Sequence, residues 1–123
     1  MHELSIVSSV VESVTESLAA YPGARVLAVR IRVGALQSVV QESLEFCYGI
    51  AAEGTRLEGS RLEVAVVPVV VHCAPCDCDV TLESVQSFRC PRCGEPSMDV
   101  RAGRELEIES VEIDDPEGEE TKP

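Results

Sequence analysis

Residues 73–94 read CAPCDCDVTLESVQSFRCPRCG. Two Cys-x-x-Cys pairs, Cys73/Cys76 and Cys90/Cys93, stand thirteen residues apart. Each pair predicts a tight turn that aims two sulfurs at one ion, and Pro75, Pro91 and Gly94 suit such turns. Four thiolates complete a tetrahedron and leave no position for a substrate, so the spacing predicts a closed, structural zinc site. Iron in a rubredoxin-like centre is the rival, because Cys-Pro-x-Cys-Gly also occurs there. A segment this short has too little apolar side chain to fold alone, so the metal supplies folding energy. Neither pair opens a helix after a strand, which argues against a thioredoxin-like redox role. Three neighbouring groups are left over. Cys78 reads as a bystander thiol that could compete as a ligand, His72 as a bystander beside Cys73, and Cys47 as packing on a helix.

The flanking chain predicts the frame around this module. Leu4, Val7, Val11, Val14 and Leu18 recur at helical spacing, which predicts an amphipathic helix over residues 3–20, ended by Pro22 and Gly23. RVLAVRIRV at 25–33 alternates: Leu27, Val29, Ile31 and Val33 share one face, Arg30 and Arg32 the other. Ser38 with Gln41 fits a capping box before a second helix over 39–52 that would bury Val39, Leu44, Cys47 and Ile50. RLEVAVVPVVV at 61–71 predicts a strand with Pro68 near an end or edge. ELEIESVEI at 105–113 predicts a last strand, with a bulge or bend near Ser110 because Leu106 and Ile108 differ in parity from Val111 and Ile113. Residues 114–123 are acidic and nearly devoid of apolar side chains, which predicts a disordered tail. The simplest assembly is α+β: a small three-stranded sheet with two helices, interrupted by a zinc-ribbon-like lobe. It implies a discontinuous domain of residues 1–71 and 98–113 and an inserted lobe of 72–97.

Composition limits the function. The chain has 123 residues and a net charge of −12. Such a surface repels a phosphate backbone and anionic membranes alike, and suits docking onto a basic partner. Aromatic residues are 3% of the chain, too few for a stacking platform on single-stranded nucleic acid. No apolar run reaches the roughly 20 residues that span a bilayer, and the amino end lacks the pattern of a secretory signal, so the chain reads as cytoplasmic. With two histidines and no phosphate-binding glycine loop, no enzyme constellation emerges.

The amino end offers a second metal chemistry. The α-amine, the deprotonated His2 amide and the His2 imidazole Nδ1 can occupy three corners of one plane. A plane of nitrogen donors suits Ni(II) or Cu(II) and suits zinc poorly. The fourth corner is open to the Glu3 amide or carboxylate, to water or to another group. Taken alone, Met-His at a chain start reads as a frayed end.

MHEL at 1–4, VGAL at 33–36, ESLEFCY at 42–48, the paired Cys-x-x-Cys motifs and LEIESVEI at 106–113 stand together in one order. In these features the chain resembles the HypA/HybF family, nickel-incorporation accessory proteins of [NiFe]-hydrogenase maturation. The resemblance covers residues 1–113. It implies a nickel-binding α/β domain with an inserted zinc ribbon. It implies nickel at Met1, His2 and Glu3, and zinc at Cys73, Cys76, Cys90 and Cys93. It implies a nickel metallochaperone rather than an enzyme, which works with a maturation GTPase and passes nickel to the hydrogenase large subunit. In some organisms the family also serves urease maturation. A homodimer is compatible with the sequence. The readings from other classes are a zinc-ribbon module associated with nucleic acid and a rubredoxin-like electron carrier.

Overall fold

A computed structural model describes residues 3–116. Helix α1 spans Glu3–Ser17 and runs into a 3₁₀ turn at Leu18–Ala20. Strand β1 spans Arg25–Gly34 and is followed by a 3₁₀ turn, Ala35–Gln37. Helix α2 spans Gln41–Ala52. Strands β2 (Arg61–Val67), β3 (Val70–Cys73), β4 (Cys78–Thr81), β5 (Val100–Ala102) and β6 (Leu106–Asp114) complete the elements of the described residues. The strands make two three-stranded sheets, ordered β2-β1-β6 and β4-β3-β5. The predicted α+β class and its three-stranded sheet are present. The second sheet was not anticipated.

The chain divides into two compact units. Among the described residues, the first comprises 3–31, 39–64 and 108–116. Its buried helical side chains are Ile6, Val7, Val10, Val11 and Val14 from α1 and Leu44, Tyr48 and Ala52 from α2, and the two helices pack together. Leu4, placed on the apolar face by its spacing, is exposed, and Ile6 and Val10 are buried instead. In β1, Val29, Ile31 and Val33 are buried as the alternation predicts, but Leu27 is only half buried, and Val26 and Ala28 on the other parity are buried as well. Arg30 reaches Glu63 of β2 at 3.0 Å from the solvent side.

Three local expectations need correction. Ser38 does not cap α2: it adopts the left-handed conformation (φ 57°) that closes the 3₁₀ turn. The cap position is Val40, which is extended and brings no side-chain bond; the Glu3 carboxylate of α1 accepts the Val40 N–H at 3.2 Å instead. The later start shifts the helix phase. The inner face becomes Leu44, Tyr48 and Ala52 at spacings of four, Ile50 turns outward, and Val39 and Cys47 are only half buried. Tyr48 could join that face because its hydroxyl has a partner, Ser60 Oγ at 2.7 Å. Third, residues 61–71 are not one strand. Pro68 cannot donate to a ladder, so β2 ends at Val67 and β3 begins at Val70. The reading of 114–123 falls mostly outside the described residues. Asp114 ends β6, and Asp115 is buried.

One arginine ties the end of α1 down. Arg56 donates to the carbonyls of Leu18 (3.1 Å), Tyr21 (2.8 Å), Pro22 (3.2 Å) and Ala24 (2.8 Å). The guanidinium fork joins the Leu18 carbonyl of the 3₁₀ turn to three carbonyls of the connection that follows, while its charge opposes the negative end of the helix dipole. Arg56→Ala is expected to cost about 1–2 kcal/mol in a urea unfolding curve. Arg56→Lys should recover only part of that, since one ammonium cannot span four carbonyls.

The second unit comprises Arg32–Ser38 and Ala65–Glu107. Strand β3 lies between β4 and β5, with Val71 opposite Val80 and Cys73 opposite Cys78. Its core is small: Val69, Val71, Cys73, Val80, Leu82 and Cys90. Two backbone bonds tie its first segment to the stretch before β6, Gly34 N–H to the Glu105 carbonyl (2.7 Å) and Leu36 N–H to the Gly103 carbonyl (2.8 Å).

Candidate metal centre

The second unit brings the four paired cysteines to one point. The first pair sits on a hairpin turn. Cys73 ends β3, the Asp77 amide bonds back to the Ala74 carbonyl at 3.1 Å, Asp77 takes a positive φ of 54°, and β4 starts at Cys78. The second pair sits on a turn closed by the Gly94 amide donating to the Cys90 carbonyl at 2.8 Å. Gly94 takes φ 81° there, a left-handed value that a residue with a side chain adopts at a cost. The Arg92 amide points at Cys90 Sγ from 3.4 Å.

All four Sγ atoms lie within 4.8 Å of one another. Cys73 and Cys93 approach to 3.5 Å, and Cys76 and Cys90 to 3.9 Å. A tetrahedron of sulfurs at zinc–thiolate distance has edges of about 3.8 Å. The cluster therefore has the size and the donor chemistry of a four-thiolate metal site. Cys73 and Cys90 are buried and Cys93 is exposed, so one corner faces solvent.

The electrostatics favour a cation. Sulfurs this close cannot all ionise unaided, because each new negative charge meets the last. Hydrogen bonding to the Cys93 and Cys73 sulfurs, with burial, pushes the Cys76 thiol up to about 12. Burial also works against ionisation of Cys90, but the amides of Arg92 and Cys93 and the Cys73 and Cys93 sulfurs outweigh it and bring that thiol down to about 7. The Cys90 thiolate thus forms readily, whereas the Cys76 thiol resists ionisation until a positive charge is present.

The leftover groups sit outside the cluster. His72 Nδ1 lies 2.8 Å from Asp79 Oδ1, and the His72 carbonyl accepts the Ser97 hydroxyl at 2.5 Å. Cys78 Sγ is met by Arg92 Nη1 at 3.2 Å. Neither belongs to the four-sulfur group. The sequence reading missed Arg92 as a partner of Cys78; its place within Cys90-Pro-Arg-Cys93 was the available signal.

The other expected site lies mostly out of view. Met1 and His2 fall outside the described residues. Glu3 opens α1 with its carboxylate on the Val40 amide. No helix among the described residues is long and apolar enough to cross a membrane.

Comparisons with known proteins agree with this architecture. A family model described as hydrogenase/urease nickel incorporation, metallochaperone, hypA matches residues 1–113. The hydrogenase maturation factor HypA of a Roseiflexus species is 45% identical over 115 residues, covering 94% of each chain. The factor of the same name from Chloroflexus aurantiacus is 46% identical over 112 residues, 91% of this chain and 98% of its own. The solution structure of the Ni metallochaperone HypA from Helicobacter pylori superposes with a TM-score of 0.60 at 20% identity, covering 92% of this chain and 97% of that one. A second HypA solution structure gives 0.66 at 18% identity, covering 92% and 96%. The two superpositions speak to the fold; with a match over residues 1–113 and relatives at 45% identity along 94% of both chains, the protein belongs to the HypA family of hydrogenase/urease nickel-incorporation metallochaperones.

Proposed function

We propose that this chain is a cytoplasmic nickel carrier that loads Ni(II) at its amino end and hands it, with a maturation GTPase, to the large subunit of a [NiFe]-hydrogenase. The observation that carries this reading is the family match over residues 1–113, which includes Met1, His2 and Glu3. The chemistry is that of a carrier and not of a catalyst. An α-amine, an ionised amide and an imidazole form adjacent chelate rings around a square-planar ion. All three donors gain protons in mild acid, so the site releases its cargo without a covalent step. The Glu3 carboxylate, bonded to the Val40 amide, anchors the base of this donor set to the start of α2.

Cys73, Cys76, Cys90 and Cys93 would hold zinc, which supplies cross-linking of the two turns and no catalysis. The fit rests on four soft donors at tetrahedral spacing, with the Cys76 thiol pushed up by the neighbouring sulfurs and the Cys90 thiol brought down chiefly by the amides of Arg92 and Cys93. Under this reading residues 1–71 and 98–113 serve nickel, and 72–97 serve zinc.

The test is a nickel titration of zinc-loaded, tag-free protein by calorimetry, with the visible spectrum recorded at each point. Wild type is expected to bind one equivalent with the yellow absorption of square-planar Ni(II). His2→Ala, and a form with one residue added before Met1, should each lose affinity by more than roughly ten-fold while zinc content stays constant. Equal binding by all three forms would remove the amino end as the nickel site.

A further inference from the structure

Helix α2 carries an outer face that nothing in the first unit covers. At about 100° per residue, Glu42, Phe46, Gly49, Ile50 and Glu53 line one side, opposite the buried Leu44, Tyr48 and Ala52. Phe46 is 71% exposed and Ile50 50% exposed. Single exposed apolar residues need no explanation, but a phenylalanine and an isoleucine one turn apart form a continuous patch.

Gly49 is the second observation. A glycine inside a helix weakens it relative to alanine. Here nothing internal requires one. Gly49 is not among the glycines with positive φ, and a Cβ added to it would meet no atom within 4 Å. The bare backbone between Phe46 and Ile50 leaves room only for a group arriving from outside.

Charge identifies what arrives. Glu42, Glu45 and Glu53 are exposed around the patch, and α2 contains no basic residue. A second copy of a chain with net charge −12 would bring the same carboxylates to the same place. A basic segment is complementary, with an apolar face for Phe46 and Ile50 and lysines or arginines for the rim.

We infer that the outer face of α2 is the docking surface for a basic amphipathic helix of the maturation GTPase, with close backbone approach at Gly49. This rests on the proposed nickel-carrier reading and adds where the partner sits. The location suits transfer. Helix α2 begins just after Val40, whose amide holds the carboxylate of Glu3, so a partner docked along α2 lies near the residue that follows Met1 and His2.

The experiment measures affinity for the purified GTPase from the same organism, using nickel-loaded full-length protein. Four forms are compared: wild type, Gly49→Gln, Phe46→Ser/Ile50→Ser, and Glu42→Lys/Glu45→Lys/Glu53→Lys. Each variant is expected to bind the GTPase at least ten-fold more weakly while keeping one equivalent of nickel. Gly49→Gln should at the same time melt higher than wild type, because glutamine is the better helix former. Lost binding in a more stable protein separates an interface role from a structural one. If Gly49→Gln and Phe46→Ser/Ile50→Ser bind like wild type, the GTPase docks elsewhere and the inference falls alone. Unchanged binding by the charge-reversed form would overturn the basic occupant. If light scattering shows a wild-type dimer that these substitutions convert to monomers, a second copy covers the face and the inference is wrong. If wild type itself ignores the GTPase, the GTPase reading fails and takes the inference with it.

Discussion

Cys90→Ser is expected to empty the proposed zinc site and unravel the second unit while leaving the helical unit folded. The core of the second unit consists of six buried residues, and two of them are the cysteines Cys73 and Cys90. Val69, Val71, Val80 and Leu82 alone bury too little surface to offset the entropy of ordering two long turns. With metal bound, the turns at Cys73–Cys76 and Cys90–Cys93 become one cross-linked knot, and binding energy becomes folding energy. Removing one thiolate should lower zinc affinity by roughly a thousand-fold or more. Zinc released to a chromogenic chelator should fall from one equivalent to none. In hydrogen exchange, the amides of Val71, Val80 and Leu82 should lose protection, while those of Val10, Val14 and Tyr48 in α1 and α2 keep theirs. Cys78→Ser and Cys47→Ser are the controls and should retain zinc, because neither sulfur belongs to the four-atom cluster. Unchanged exchange in Cys90→Ser would mean that the apolar side chains hold this unit unaided.

Gly34→Ala should destabilise the protein by more than about 3 kcal/mol, a large cost for one methyl group. The backbone at Gly34 is ordinary, so the cost does not come from φ. It comes from space. A Cβ at this position would overlap the carbonyl group of Gly103 and crowd the amide of Arg104. Both obstacles are backbone, which cannot rotate away as a side chain would. Relief requires separating the two segments, which breaks the bonds from Gly34 to Glu105 and from Leu36 to Gly103. Gly103 is constrained as well. It takes φ 119°, and a side chain there would press on Val69. Urea unfolding of Gly34→Ala against Gly54→Ala checks the mechanism. Gly54 needs its positive φ of 76°, but an added Cβ would meet nothing within 4 Å. The change at Gly54 should therefore cost only about 1 kcal/mol. A Gly34→Ala protein as stable as wild type would show that the two strands can part freely.

This packing also explains why VGAL carried information before any coordinates. The motif requires a glycine at residue 34 because two backbones touch there. In the sequence the motif served only as a point of resemblance to a family, and no local pattern pointed to that contact. The same division runs through the chain. Strand β1 was legible because alternation survives translation into structure directly: side chains on a strand point to opposite faces whatever lies around them. Helix α2 was legible as a helix, but its phase was not. Ser38 and Gln41 satisfy the local pattern of a capping box, yet the amide that matters, that of Val40, is held by Glu3. No local rule can see a partner 37 residues away. The sequence pattern placed Val39, Leu44, Cys47 and Ile50 inside and not Tyr48, whose hydroxyl finds its partner, Ser60, beyond the helix.

The grouping of the four paired cysteines was almost wholly legible. Ligand spacing is a covalent property: two residues between cysteines bring both sulfurs to one side of a turn, and four such sulfurs have few stable alternatives to a shared ion. The proposed amino-terminal donor set is likewise defined by consecutive backbone atoms, but Met1 and His2 lie outside the described residues. Chemistry written in adjacent residues can be read without a fold. The fold was needed for relations between distant residues: the four carbonyls gathered by Arg56, the second sheet β4-β3-β5, the contact of Gly34 with Gly103, and the open face of α2. Each depends on which segments meet in space, and packing decides that only after the whole chain has found a common solution.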